Sequence, residues 1–241
     1  AVPVAVLVVT FAVSPGWGLG LIGVALIAAY AAPSVAREGD WQFSAQHADE
    51  RFSLLMLIVL GESLISIGLG AADDPFGWPT VGAIALGVFI VAGLWWQYFD
   101  VVAHQGAAYL DALDPHARIV RARMIYTYLH VLLVLAVMLM ALGLNAASAD
   151  PDHPMQAPQA LFLPGGAALF LATLGIMRLM MRGRVLWPLP VAAIALVLVI
   201  PLALHVPALV SEAVCVAILA TLTAARELYA RRGVIQPIGH H

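Results

Sequence analysis

The chain has 241 residues, of which 63% are hydrophobic and 10% charged, against about 45 to 50% apolar residues in soluble domains. A mean hydropathy of +0.96 excludes a soluble globular domain and requires an integral membrane protein. The net charge of −3 leaves no basic field to hold nucleic acid, and the lone Cys215 excludes an intramolecular disulfide.

The apolar runs are about 20 residues long, the length a helix needs to cross a hydrocarbon core of about 30 Å, and they lack the strict alternation of a membrane barrel. The chain therefore reads as all-α, a polytopic transmembrane helix bundle forming a single domain over residues 1–241. In chain order the full runs are Gly16 to Val35, Phe52 to Gly70, Val81 to Val101, Ile125 to Leu144, Ala160 to Met181, Leu189 to His205 and Ala208 to Tyr229. Ala1 to Val13 precedes them as a partial span, because 13 residues rise only about 20 Å. No initiator Met or charged leader stands before it, so the expectation is a span that has lost its beginning. Between the runs, Asn145 to Gln159, with Pro151, Pro154 and Pro158, reads as a flexible loop, and Arg118 to Arg123 as a short interfacial helix. No internal repeat marks an inverted-repeat transporter.

All the basic residues other than histidine are arginines, and they alternate between connections. None flanks Ser14-Pro15-Gly16, Ala71 to Thr80, Asn145 to Gln159 or His205-Val206-Pro207. The intervening connections hold Arg37 and Arg51; Arg118, Arg121 and Arg123; Arg178, Arg182 and Arg184; and Arg226, Arg231 and Arg232. The positive-inside rule then predicts a multi-pass protein of the inner (plasma) membrane with both ends of the chain cytoplasmic. Trp17 and Trp78 fall at the expected outer interface, and Trp41, Trp95, Trp96, Tyr98, Phe99 and Trp187 near the inner one, where rings act as anchors.

Glu62 lies in the middle of the run from Phe52 to Gly70. A carboxylate at that depth costs about 2.5 to 3.5 kcal/mol, which makes it a candidate functional group. Helical spacing sets Arg51, Leu55, Ile58, Glu62 and Ser66 on one stripe with Ser63, Gly61 and Gly70 beside it, a small polar face suited to packing on other helices. No basic residue of another span sits at that depth. Glu62, Ser63 and Ser66 thus form a candidate proton or cation site, the alternative being a neutral acid that only joins helices.

A second cluster collects at the cytoplasmic ends: His47 and Glu50 at i, i+3, with Arg51 beside them; Asp100 and His104 at i, i+4; Tyr126 and His130 at i, i+4. Imidazoles and carboxylates in one leaflet suit a transition metal or acid–base hydrolysis. Without an HExxH or cysteine set, each pair reads equally as an interfacial hydrogen bond, and no metal or catalytic residue is assigned. Glu212 and Arg178, near span ends, are explained by snorkelling or local capping.

His47-Ala48-Asp49-Glu50-Arg51-Phe52, the apolar run after it, and Leu60-Gly61-Glu62-Ser63 resemble the signature of the bacterial low temperature requirement A family, roughly H-x-x-E-R leading to L-G-E-S. Trp95-Trp96-Gln97-Tyr98-Phe99-Asp100 is similar to the end of that family's next helix, and Tyr126-Thr127-Tyr128-Leu129-His130 to the start of the one after. The resemblance is specific from about His47 to Gly143 and covers His47, Glu50, Arg51, Gly61, Glu62, Asp100 and His130. It implies a multi-spanning membrane protein without an established molecular activity. The family's usual amino-terminal E-L-F-F-D-L-V-F-like run has no counterpart here. Three functions follow as expectations: a transporter or channel for protons or small cations, which the depth of Glu62 favours; a membrane-embedded metal-dependent enzyme acting on lipid; or a non-catalytic membrane-organising protein. The partners expected are the lipid bilayer and a proton or small cation, with no cofactor and no oligomeric state assigned.

Overall fold

The computed structural model describes residues 44–72, 77–100 and 105–231. Every regular element among them is helical. The runs expected at Ala1 to Val13 and Gly16 to Val35, together with Arg37, Trp41 and His104, lie outside the described residues.

Helix α1 spans Ala45–Gly70, and its first free amides are met by Ser44, whose hydroxyl accepts from the His47 amide at 3.3 Å. Helix α2, Trp78–Tyr98, starts with Pro79 in its first turn, where no amide partner is needed. Short α3, Gly106–Asp111, leads to α4, Pro115–Ala122, which Asp114 caps by accepting from the His116 and Ala117 amides. α4 passes through a π-helical segment, Arg123–Leu129, directly into α5, His130–Ala149. The expected interfacial helix is therefore continuous with α5 over Pro115–Ala149. α6, Ala157–Arg182, ends on Gly183, whose φ of +63° is the left-handed conformation that closes a helix. α7, Pro188–Ala203, and α8, Ala208–Arg231, complete the chain.

Five of these helices, α1, α2, α4 continuing into α5, α6 and α8, are long and apolar enough to cross a membrane; α7, with 16 residues, is shorter. Large apolar side chains such as Ile58, Phe89, Leu142, Leu161, Ile194 and Leu198 cover the outside, as expected of a surface that meets lipid tails.

Close contacts fix the helix directions. Phe52 stacks on Tyr126 near one end of α1, and the Asn145 amide donates to the Ser66 carbonyl near the other, so α1 and α5 run parallel. Gly82 approaches Leu209 and Gly93 approaches Leu219, so α2 and α8 also run parallel. Gly143 lies on Leu163 and Gly166 on Ala136 and Met140, so α5 and α6 are antiparallel. These contacts carry the described arginines to one end of the bundle, in agreement with their alternation along the chain.

The segment expected to be a flexible loop is instead pinned. α5 continues to Ala149, and Met155 donates to the Ala203 carbonyl, while the Ala208 and Leu209 amides donate to the carbonyls of His153 and Pro151. The prolines limit the loop's conformations, and its carbonyls cap the first turn of α8, which keeps those amides from remaining unpaired.

Candidate functional site at the charged end of the bundle

The inward face of α1 carries Ala45, Met56, Leu60, Ser63 and Ile67. Helical spacing adds Asp49, Phe52 and Ser53 to that face, and it is these residues of the motif that reach other helices. Asp49 accepts from the Tyr126 hydroxyl at 3.1 Å. Gly106 closes over the pair: a Cβ there would stand 2.8 Å from the Tyr126 hydroxyl and 3.3 Å from the Asp49 carboxylate. The Phe52 ring lies 5.1 Å from Tyr126 and 4.7 Å from His130, centroid to centroid.

His130 is the centre of this arrangement. It is buried, with Nδ1 2.8 Å from the Ile125 carbonyl and Nε2 2.9 Å from the Tyr98 hydroxyl. A carbonyl only accepts, so Nδ1 carries the proton, and the neutral ring then takes the Tyr98 O–H at Nε2. The π-helical turn matters here, because its widened register presents the Ile125 carbonyl to a side chain five residues on. Tyr98, expected as an interfacial anchor, is instead a fully buried member of the core. Its hydroxyl requires a buried acceptor, and His130 supplies it.

A second network joins α2, α6 and α8. Arg226 donates through Nη1 to the Gln97 side-chain oxygen and through Nη2 to the Asp100 carboxylate. The Gln97 amide donates to Thr223 Oγ1 at 3.0 Å, and Thr223 in turn donates to the Leu219 carbonyl at 2.9 Å. Gln105 accepts from Arg182 Nε at 3.0 Å and donates to the Asp100 carbonyl at 3.4 Å. Arg178, 7% exposed, lies within electrostatic range of Arg182, Arg226 and Asp100.

The expected cytoplasmic cluster thus divides. His47 and Glu50 pair with one another at 3.6 Å, with side chains 79% and 58% exposed, and Arg51 is exposed next to them. Asp100 belongs to Arg226, while Tyr126 and His130 belong to the aromatic core with Tyr98 and Phe52. Among the described residues no three His, Cys, Asp or Glu side chains come close enough to share a metal ion. His47, Glu50 and Arg51 carry the charge of the motif but lie on the exposed side of α1. The sequence signal for Asp49 was its spacing of 7 residues before Met56, on the buried face.

Glu62 and Ser63 also part. Ser63 points into the bundle, fully buried and without a hydrogen-bond partner for its hydroxyl, whereas Glu62 is exposed on the side of α1 that carries Ile58 and Ile65. Ser66 is half-buried, and its backbone carbonyl takes the Asn145 amide. Glu62 makes no hydrogen bond or ion pair among the described residues. Glu212, expected to snorkel or cap locally, is completely buried in α8, and neither carboxylate oxygen has a hydrogen-bond partner among the described residues. Arg178, likewise expected to snorkel or cap locally, is buried near the carboxyl-terminal end of α6.

These features define a polytopic membrane helix bundle with its arginine-centred polar networks gathered at one end and two membrane-embedded carboxylates away from them. A family model for the bacterial low temperature requirement A protein (LtrA) matches residues 1–224, well beyond the motif region, and the chain belongs to that family. No curated protein and no solved structure matches it significantly.

Proposed function

We propose that this protein is a transporter or channel of the bacterial inner membrane for protons or small cations, with Glu62 as the group that takes up the ion and the arginine-bearing end toward the cytoplasm. The observation that carries this reading is the setting of Glu62: mid-helix, exposed, and without a hydrogen-bond or ion-pair partner among the described residues. An acid that served only to join helices has its oxygens satisfied by the neighbouring helix. A carboxylate that exchanges a proton or cation needs the opposite, free oxygens at membrane depth. Ser66, half-buried one turn on, is the nearest polar companion on the same side.

The inner end supports a structural role for the remaining motif residues. His130, Tyr98, Tyr126 and Asp49 spend their polar atoms on one another and lock α1, α2 and α5 together. Among the described residues, the exposed His47–Glu50 pair stands apart from Asp100, held by Arg226, and from the buried His130, which gives the lipid-directed metalloenzyme reading less support. Proton or cation flux into liposomes containing the full chain or its Glu62→Gln variant tests the proposal, which requires the flux to depend on the carboxylate.

A further inference from the structure

The charge balance at the inner ends of α6 and α8 points to a ligand. Arg178 and Arg182 are one helical turn apart on α6, where like charges repel. Arg226 on α8 is linked to Arg182 through Asp100 and Gln105, and its charge acts on Arg178. Among the described residues the acids nearby are Asp100, which Arg226 already engages, and the exposed Glu227 beside Arg226 on its own helix. Arg182 spends its Nε proton on neutral Gln105. Arg178 is left with no hydrogen bond or ion pair among the described residues although it is 7% exposed, and Arg226 Nε is a further buried donor without an acceptor.

A buried cation that lacks a partner is costly, and guanidinium groups donate in a planar fork that matches the oxygens of phosphate. Arg226 Nε, a buried donor without an acceptor among the described residues, and Arg178, 7% exposed and without a hydrogen bond there, lie on different helices at the arginine-rich end of the bundle and offer donors to an oxyanion. Basic pockets between membrane helices bind anionic headgroups by the same chemistry.

We propose that Arg178, with Arg182 and Arg226, binds a phosphate-type oxyanion at the inner end of α6 and α8. The phosphodiester of an anionic lipid headgroup and free phosphate both supply it. The ligand screens the three arginines from one another and ties α6 to α8.

Thermal melting of the delipidated full chain in neutral detergent tests this. The additions are phosphatidylglycerol, phosphatidylcholine or inorganic phosphate, applied to the parent protein, Arg178→Gln, Arg178→Lys and the exposed control Arg121→Gln. Phosphatidylglycerol or inorganic phosphate raises the parent Tm by about 5 °C or more at a hundredfold excess over its Kd. A rise with the lipid alone identifies the headgroup as source, and a rise with inorganic phosphate identifies the soluble anion. Arg178→Gln loses the rise, Arg178→Lys retains part of it, and Arg121→Gln keeps it whole. Without added anion Arg178→Gln melts no lower than the parent, since it relieves the repulsion of Arg178 by Arg182 and Arg226. An equal rise in the parent and Arg178→Gln, or none in the parent, overturns the proposal. If Arg178→Gln fails to fold, native mass spectrometry of the parent decides: one retained phosphatidylglycerol or phosphate per chain supports the site, and none overturns it.

Discussion

Replacing Gly166 by alanine tests the packing of α5 on α6 most sharply. The new Cβ would stand 2.6 Å from the Ala136 carbonyl oxygen, 2.7 Å from the Met140 amide nitrogen and 3.0 Å from Met140 Cβ. Ordinary contact between carbon atoms begins at about 3.5 Å, so the helices must part by nearly 1 Å, which forfeits a quarter to a half of the dispersion energy along the seam. Two of the three obstructing atoms are backbone and cannot rotate away. Overpacking of this kind costs about 1 to 3 kcal/mol. Helix propensity returns at most about 1 kcal/mol for Gly to Ala. Gly143→Ala meets the Leu163 backbone at 2.5 Å and belongs to the same class, whereas Gly61 and Gly68 have nothing within 4 Å of the added methyl. The expected result in detergent melting is a Tm lowered by several degrees for Gly166→Ala and Gly143→Ala, and unchanged or raised for Gly61→Ala, at about 2 to 4 °C per kcal/mol for a chain of this size. Gly166→Ala melting with the parent, or Gly61→Ala falling as far as Gly166→Ala, refutes the reasoning.

Tyr98→Phe removes the donor to His130 Nε2 and leaves a buried acceptor unpaired; a loss of about 1 to 2 kcal/mol is expected, measured by unfolding in mixed micelles. Asp100→Asn is expected to destabilise more than the paired replacement Asp100→Asn with Arg226→Met, because the single change leaves a buried guanidinium without its counter-charge; melting of the two variants compares them. His153 Nδ1 lies 2.7 Å from the Asp150 carboxylate, whose hydrogen bond and charge raise the imidazole pKa above its usual value. The sign follows: the pair's contribution is fully present below the unfolded pKa and is lost as pH rises through the raised folded one. NMR titration should find His153 protonated to higher pH in the parent than in Asp150→Asn.

The span pattern was legible because hydropathy and arginine position are one-dimensional signals. The helices from Ala45–Gly70 to Ala208–Arg231 follow the expected runs, with ends extended by caps such as Ser44 and Asp114. Facing was much less legible. In α1 Leu, Ile and Val fall on every side of the helix from Leu54 onward, so the periodicity does not tell the face of Ser63 from that of Glu62, one residue and about 100° away. Charge then drew attention to His47 and Glu50, while the residues that enter the core were Asp49 and Phe52. The link between Gln97 and Thr223 spans 126 positions and leaves no mark in either segment alone. The burial of Glu212 was hidden for a related reason: its nearness to a helix start suggested an interface, but the Pro151 to Met155 segment folds over that start.

The central claim is that Glu62 carries the ion. Proton flux into liposomes, followed with an internal pH dye under an imposed gradient and repeated with alkali cations, tests it most directly. Flux above empty liposomes is expected for the parent, with a return to the empty-liposome level for Glu62→Gln at equal reconstitution. Equal flux in the two proteins contradicts it.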